Sequence, residues 1–377
     1  MWLKGNPLHL NRGNTKRILM IQLGDIGDVV LSLHCIRALK EHFASSQVVV
    51  AVWAKARDLI EECPWADDVI CVEKPNRGLP SALAHHYQFL RRLRKFHFDV
   101  VIDLRTGTRG AVMTLLTGAK LRIGYHTYKE TFWRNWIFTH LKPFIPDPDL
   151  HQSKHYQSLL QQCGVEIPDG YPQIKASSTS RQKAGQLFMR HGISTTEPII
   201  ALHPFALWRY KEWPNAKSAE LARRLTNDFN LTIVVLGTAL EHDRAQTIVD
   251  HCDDHGHVVN LAGETDLRVL PAVLQRCQLL IGMDSACGHV AAAVATPCIS
   301  IFGPGKAGVW APLGERNRIV RMPLPCIHCG QKGCDDREQS KCLEELAVEE
   351  VFSAVKDHLQ FLGSHLSVLE KKNRMHQ

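Results

Sequence analysis

The sequence predicts an α/β protein made of two parallel-sheet domains in tandem. Three observations predict it. Short apolar runs alternate with stretches of helical period through both halves. A strand, turn, helix and strand follow one another between residues 279 and 304 (LLIGMDSACGHVAAAVATPCISIFGP), the layout of a parallel βαβ unit. Between the halves the alternation is broken by Pro143, Pro146, Pro148, Pro168 and Pro172 and by the polar segment SSTSRQ.

The elements follow in order. Residues 17–23 (RILMIQL) read as a strand, closed by the turn Gly24-Asp25-Ile26-Gly27-Asp28 and followed by a helix to about Phe43. Strands are expected at 47–53 and 69–72, a helix at about 81–95, and a buried strand at 99–104 that ends at Arg105. Residues 122–125 read as an edge element. In the second half, strands are expected at 199–203, 231–236, 258–261 and 279–283, with helices from about 215 to 228, from about 241, and over 267–277. Residues 290–295 read as a helix, 298–302 as a strand and 348–366 as one amphipathic helix. The organisation expected is a flexible N-terminal extension over 1–16, a first domain over 17–175, a hinge over 176–198, and a second domain over 199–377 that includes a cysteine-rich segment at 326–342.

Composition narrows the class. The chain has 377 residues, 45% of them hydrophobic, enough for two real cores. No run of about 18 apolar residues occurs, so no membrane-spanning helix is expected. The polar start MWLKGNPLHLNRGNTK has no apolar signal core, which places the protein in the cytoplasm. A net charge of +7 suits an acidic ligand, an anionic membrane face or nucleic acid without choosing among them. Neither G-x-G-x-x-G nor a P-loop is present, which argues against dinucleotide binding and ATP hydrolysis.

Of twelve cysteines, eight are scattered, mostly in apolar runs, and read as small buried hydrophobes. The other four, Cys326, Cys329, Cys334 and Cys342, are bunched around His328. In a reducing compartment that pattern suggests a structural metal, zinc or iron, or else free thiols in a loop. A nucleic-acid-binding zinc module is disfavoured, because the cluster holds Asp335, Asp336 and Glu338 and no aromatic residue.

Ligands bind at the carboxyl ends of parallel strands, and the residues there are the candidates for chemistry. Asp25 reads as a helix cap, while Asp28 either caps or points outward as a general base. The loop His203–Pro214 carries Arg209 and Lys211, suited to phosphate oxygens, between Trp208 and Trp213; the plain alternative is a basic surface loop. Glu241, after Leu236-Gly237-Thr238, suits ribose hydroxyls or a helix start. The turn from Asp284 to His289 suits an anion at a helix N-terminus; alternatively Asp284 merely caps and His289 is a core histidine. Arg105 and Arg109 follow a strand and so belong to its C-terminal edge; Arg91 to Lys95 read as a solvated helix face.

Five of these segments, in order, resemble the ADP-heptose:lipopolysaccharide heptosyltransferases, glycosyltransferase family 9. They are Gly27-Asp28-Val29-Val30, Lys211-Glu212-Trp213-Pro214, Gly237 followed by Glu241, Asp284-Ser285 with His289, and Phe302-Gly303-Pro304, within a resemblance over about residues 17–355. It implies a GT-B fold, two Rossmann-like domains facing a cleft, the first holding the acceptor and the second the ADP-sugar. It implies an inverting transfer of L-glycero-D-manno-heptose from ADP-heptose to the lipopolysaccharide inner core, Kdo-lipid A or its heptosylated form, at the inner face of the inner membrane. Asp28 would be the general base. Lys211, Glu241, Asp284, Ser285, Ala286, Gly288 and His289 would hold the donor, and Arg105, Arg109 and Arg122 would grip the anionic acceptor. No cofactor is required for the chemistry, and no nucleic-acid partner is implied. The sequence departs from the family pattern at Ala286 (usually Gly), Gly305 (commonly Thr) and His34 (often Pro). The alternatives are a family member with another acceptor, protein or glycan, and a nucleotide-sugar epimerase of the same fold.

Overall fold

The strands of a parallel sheet covered on both faces must be apolar along their length, and the runs picked out above are so. The computed structural model describes residues 10, 15–73, 79–128, 132–144, 147–194, 197–229, 231–252, 257–335 and 337–374. The chain divides into two compact units, Met1–Lys175 and Ala176–Gln377. Among the described residues, each holds one six-stranded, all-parallel sheet.

The first unit runs β1 (Arg17–Gln22), α1 (Ile26–Leu31), α2 (Leu33–His42), β2 (Gln47–Trp53), α3 (Arg57–Glu61), β3 (Asp68–Val72), α4 (Leu79–Lys95), β4 (Val100–Asp103), α5 (Thr108–Leu116), β5 (Leu121–Tyr125), β6 (His140–Lys142) and α6 (Gln152–Gln161). The sheet order is β3-β2-β1-β4-β5-β6. Residues 122–125 are therefore not an edge: the short β6 lies outside β5 and escaped the sequence reading, because three residues show no periodicity. Alternate residues of β1, β2 and β4, among them Leu19, Ile21, Val49, Ala51 and Val101, pack on Leu93 and Met113 to form a core. The N-terminal extension lies largely outside the described residues; Leu10 is described, buried, and donates its N–H to Cys163 O at 3.1 Å.

The second unit runs α7 (Ser178–Arg190), β7 (Ile199–His203), α8 (Asn215–Phe229), β8 (Thr232–Val235), α9 (His242–Asp250), β9 (Val258–Asn260), α10 (Leu270–Arg276), β10 (Leu279–Met283), α11 (Ala286–Ala293), β11 (Cys298–Ile301), α12 (Ala307–Trp310), β12 (Asn317–Val320), α13 (Lys341–Glu344) and α14 (Val348–Arg374). The sheet order is β12-β11-β10-β7-β8-β9. The segment 176–198, read from the sequence as a hinge, contains α7, capped by the Ser177 hydroxyl, and belongs to this unit. The core gathers Phe205, Trp213, Leu343, Val351 and Val355 over the sheet, so α14 and the end of the cysteine-rich segment close one face. Among the described residues no helix is long and apolar enough to cross a membrane.

Candidate active site

In an open parallel sheet the ligand crevice falls where strand order reverses, because the loops of the two central strands leave in opposite directions. The first sheet reverses between β1 and β4, which pair side by side. The loop after β1 delivers Asp28 and the loop after β4 delivers Arg105. Arg105 Nη1 lies 2.9 Å from Asp28 Oδ2. The same oxygen accepts the Asp25 N–H at 2.8 Å, so Asp28 secures the first turn of α1 as well as facing Arg105. Asp25 stands at the N-cap, with its own side chain paired to Lys55. Gly24 is required here: a Cβ would collide with the Asp28 carboxylate and the Arg105 guanidinium.

The other oxygen, Asp28 Oδ1, accepts from Tyr156 Oη at 2.5 Å. Tyr156 lies on α6 and is 2% exposed; burial, then the charge of Asp28, pushes its phenol well up, so it stays a donor. A carboxylate offers about four lone-pair positions. Among the described residues three are taken, which leaves one position on Oδ1.

A second pair lies behind Arg105. Arg134, fully buried, comes within 3.6 Å of Asp103 and donates to Tyr125 O at 2.6 Å and Arg105 O at 3.1 Å. Burial pushes the Asp103 carboxyl up to about 7 against the pull of Arg134. Asp103 Oδ1 accepts the Arg105 N–H at 3.2 Å, so both ends of the Arg105 peptide are held.

Arg109 sits on the exposed face of α5 with its guanidinium 5.0 Å from the Trp53 ring, and makes no bond to Asp28. Arg122 is not brought to this edge. It lies at the N-terminal end of β5, where its guanidinium donates to Ile137 O at 2.7 Å and Ala119 O at 2.6 Å and braces the turns there.

The second sheet reverses between β10 and β7. Lys211, from the loop after β7, meets Asp284, from the loop after β10, with Nζ to Oδ2 at 2.6 Å. Ser285 stands at the N-cap position of α11 without a side-chain capping bond, and its hydroxyl lies 3.4 Å from His203 Nδ1. Burial pulls His203 below its ordinary value, opposed by the charge of Glu241. Ala286, Gly288 and His289 occupy the first turn of α11, whose free N–H groups and positive dipole end suit an anion. His289 is 6% exposed. The Asp284 carboxylate also fills the space where a Cβ on Gly305 would stand, so glycine at 305 follows from the position of Asp284.

The rest of the 203–214 loop is structural. Glu212 is half-buried, accepts the Ala206 N–H at 3.1 Å and pairs with Arg244, while Trp213 is 1% exposed and donates to Leu346 O at 3.1 Å. Lys211 is thereby held at the loop tip. Trp208 is 52% exposed and stacks at 6.2 Å on Tyr210. Glu241 accepts from Thr238 N at 2.7 Å and Thr238 Oγ1 at 2.9 Å, beyond the end of β8 beside β7.

Cys342 is buried, and burial together with the charges of Cys334, Cys329 and Cys326 pushes its thiol up to about 11. Cys326 and Cys329 are exposed. Among the described residues no three His, Cys, Asp or Glu side chains converge closely enough to hold a metal ion.

Two Rossmann-like units in tandem, each with a six-stranded parallel sheet, are the architecture of the GT-B class. The family model of glycosyltransferase family 9 (heptosyltransferase) matches residues 86–339, and the chain belongs to that family. It is 26% identical over 293 residues to lipopolysaccharide heptosyltransferase 3 of Escherichia coli, an alignment covering 76% of this chain and 83% of that one. In fold it is similar to E. coli ADP-heptose lipopolysaccharide heptosyltransferase II, with a TM-score of 0.74 at 21% identity over 91% of this chain and 98% of that one. It is similar too to the family 9 glycosyltransferase of Veillonella parvula, with a TM-score of 0.79 at 20% identity over 92% and 97%.

Proposed function

We propose that this glycosyltransferase moves L-glycero-D-manno-heptose from ADP-heptose to the inner core of lipopolysaccharide, with inversion, and that Asp28 is the general base. It would work in the cytoplasm at the inner face of the inner membrane, where the acceptor is held by its lipid. One observation carries the donor assignment. Lys211 and Asp284, 73 residues apart, meet at 2.6 Å beside the start of α11. A cation and a row of backbone N–H groups there answer the charge that builds on a departing nucleoside diphosphate. ADP so countered is a competent leaving group, and no metal is demanded. The names of the relatives support the same donor: the E. coli protein similar in fold is an ADP-heptose enzyme.

On the acceptor side, the open position on Asp28 Oδ1 would take the proton of the attacking hydroxyl. Tyr156 and Arg105 hold the carboxylate in one orientation throughout. Arg105, 40% exposed in its side chain, and Arg109 would meet anionic groups of the acceptor. Glu241 would bind ribose through the oxygen that Thr238 does not occupy.

The test follows ADP release by purified protein with ADP-heptose, first with Kdo-lipid A and then with a heptosylated acceptor. Release on one acceptor, reduced about 10²- to 10⁴-fold in Asp28→Ala, is the expected result and names the step. Donor binding without release on either acceptor would overturn the acceptor assignment. A chain that binds no ADP-heptose would overturn the donor as well.

A further inference from the structure

Residues 91–142 contain eleven Lys and Arg against three acids, Asp99, Asp103 and Glu130, a net +8. The whole chain carries +7, so the other residues together come to −1. Asp103 is buried, and Asp99 is occupied by the N–H groups of Lys16 and Arg17 at 2.7 and 3.0 Å. The excess positive charge thus falls in one stretch of the first unit's sequence, in which Arg134 is buried and Arg105 is paired with Asp28, while Arg94 and Lys120 are exposed.

That region also exposes large apolar side chains: Val112 (42%), Leu115 (51%), Tyr128 (69%), Trp133 (40%) and Trp136 (76%). They lie on neighbouring pieces of backbone. Ala111 of α5 packs with Ile137, Phe138 and Leu141, which sets Leu115, one turn further along α5, beside the short helical turn Phe132–Trp136. Asn135 and Thr127 exchange two hydrogen bonds, at 3.1 and 2.8 Å, which sets Tyr128 beside the same turn. Arg94 donates to Leu116 O at 3.2 Å, and exposed Lys120 follows the end of α5, so cations stand at the border of the apolar strip.

The geometry points to this strip as a docking face for an anionic phospholipid surface. Trp and Tyr have amphipathic rings that settle at the headgroup level, and Val112 and Leu115 gain from reaching the acyl boundary. Lys and Arg at the rim are drawn to anionic headgroups. A nucleic acid would use the charge and the rings but offers nothing to exposed Val112 and Leu115. A second copy of the chain would set one basic face against another. The inference deepens the proposed function, resting on it for the purpose of docking, since a lipid-held acceptor is met at such a surface.

The experiment sediments the full chain with vesicles and needs neither donor nor turnover. Neutral phosphatidylcholine vesicles are compared with vesicles containing about one-quarter phosphatidylglycerol, at low salt and at about 0.5 M salt. Binding to the anionic vesicles should be at least about tenfold tighter and should weaken with salt. Lys120→Glu combined with Arg94→Glu should weaken it about tenfold, and Trp136→Ser about fivefold, with tryptophan emission in the wild type shifting to the blue on binding. Because Arg94 braces α5, Lys120→Glu alone and Leu115→Asn serve as second variants. All should keep wild-type transfer to a lipid-free acceptor fragment. Equal binding to neutral vesicles, no binding, or displacement of the chain from vesicles by a DNA duplex would overturn the inference. Vesicle binding by a chain that transfers no heptose would instead overturn the proposed function and leave the docking face standing.

Discussion

Tyr156 shows how much of the site rests on single contacts. Its hydroxyl reaches Asp28 across 128 residues of sequence and is buried with it. A hydrogen bond to a charged partner is worth about 1.5–3 kcal/mol, and without it Asp28 Oδ1 loses its support while Oδ2 stays held by Arg105 and the Asp25 N–H. Tyr156→Phe should therefore lower kcat about tenfold or more with little change in donor KM, read from steady-state rates; a change confined to donor KM would refute the positioning role. Lys211 and Asp284 invite a double-mutant cycle. Under the proposed function Asp284, acidic and beside the expected diphosphate, would hold Lys211 in place. Lys211→Ala and Asp284→Asn should each raise donor KM and lower kcat, and the double variant should be little worse than Lys211→Ala alone. Full additivity would mean that the two act separately.

At the scale of elements, α14 is pinned to the second unit by Val351, Phe352 and Val355, by Arg224 over the Phe352 ring at 4.1 Å, and by His358. His358 Nε2 donates to Arg316 O at 3.0 Å, and burial, with Arg318 nearby, holds its pKa below the ordinary value. The folded state thus keeps His358 neutral while the unfolded chain takes up a proton as pH falls through about 6.5. The unfolded state binds more protons in that window, so stability contributed here is present above it and lost below. In denaturant unfolding at pH 5.5 and 7.5, each roughly one unit from that value, wild type should lose more stability on acidification than His358→Gln, which keeps a donor but cannot titrate. Equal losses would show that His358 does not contribute.

At the scale of the whole molecule, each unit has its own sheet and its own core, so each should unfold as its own cooperative step. Trp213 anchors the second core and ties the 203–214 loop to Leu346. Trp213→Ala should cost about 3–5 kcal/mol and move one calorimetric transition while leaving the other in place. A single transition that moves as a whole would refute separate cooperativity.

The sequence by itself determined the class of fold and the places where chemistry can sit. Apolar runs of the right length become strands wherever they fall, because burial on both faces admits little else, and the small residues of 284–289 mark a helix start open to an anion. Such signals are local, a few residues apart. Tertiary structure alone decided the partners. Tyr156 lies on α6, in a stretch broken by prolines, and nothing near it in sequence points to Asp28. The buried pair Asp103 and Arg134, the order that puts β6 outside β5, and the return of Arg122 to backbone carbonyls depend on which strands become neighbours. The reason is physical: periodicity records which face of an element is buried, whereas a hydrogen bond between distant side chains depends on packing that brings them within about 3 Å, and packing is a property of the assembled core.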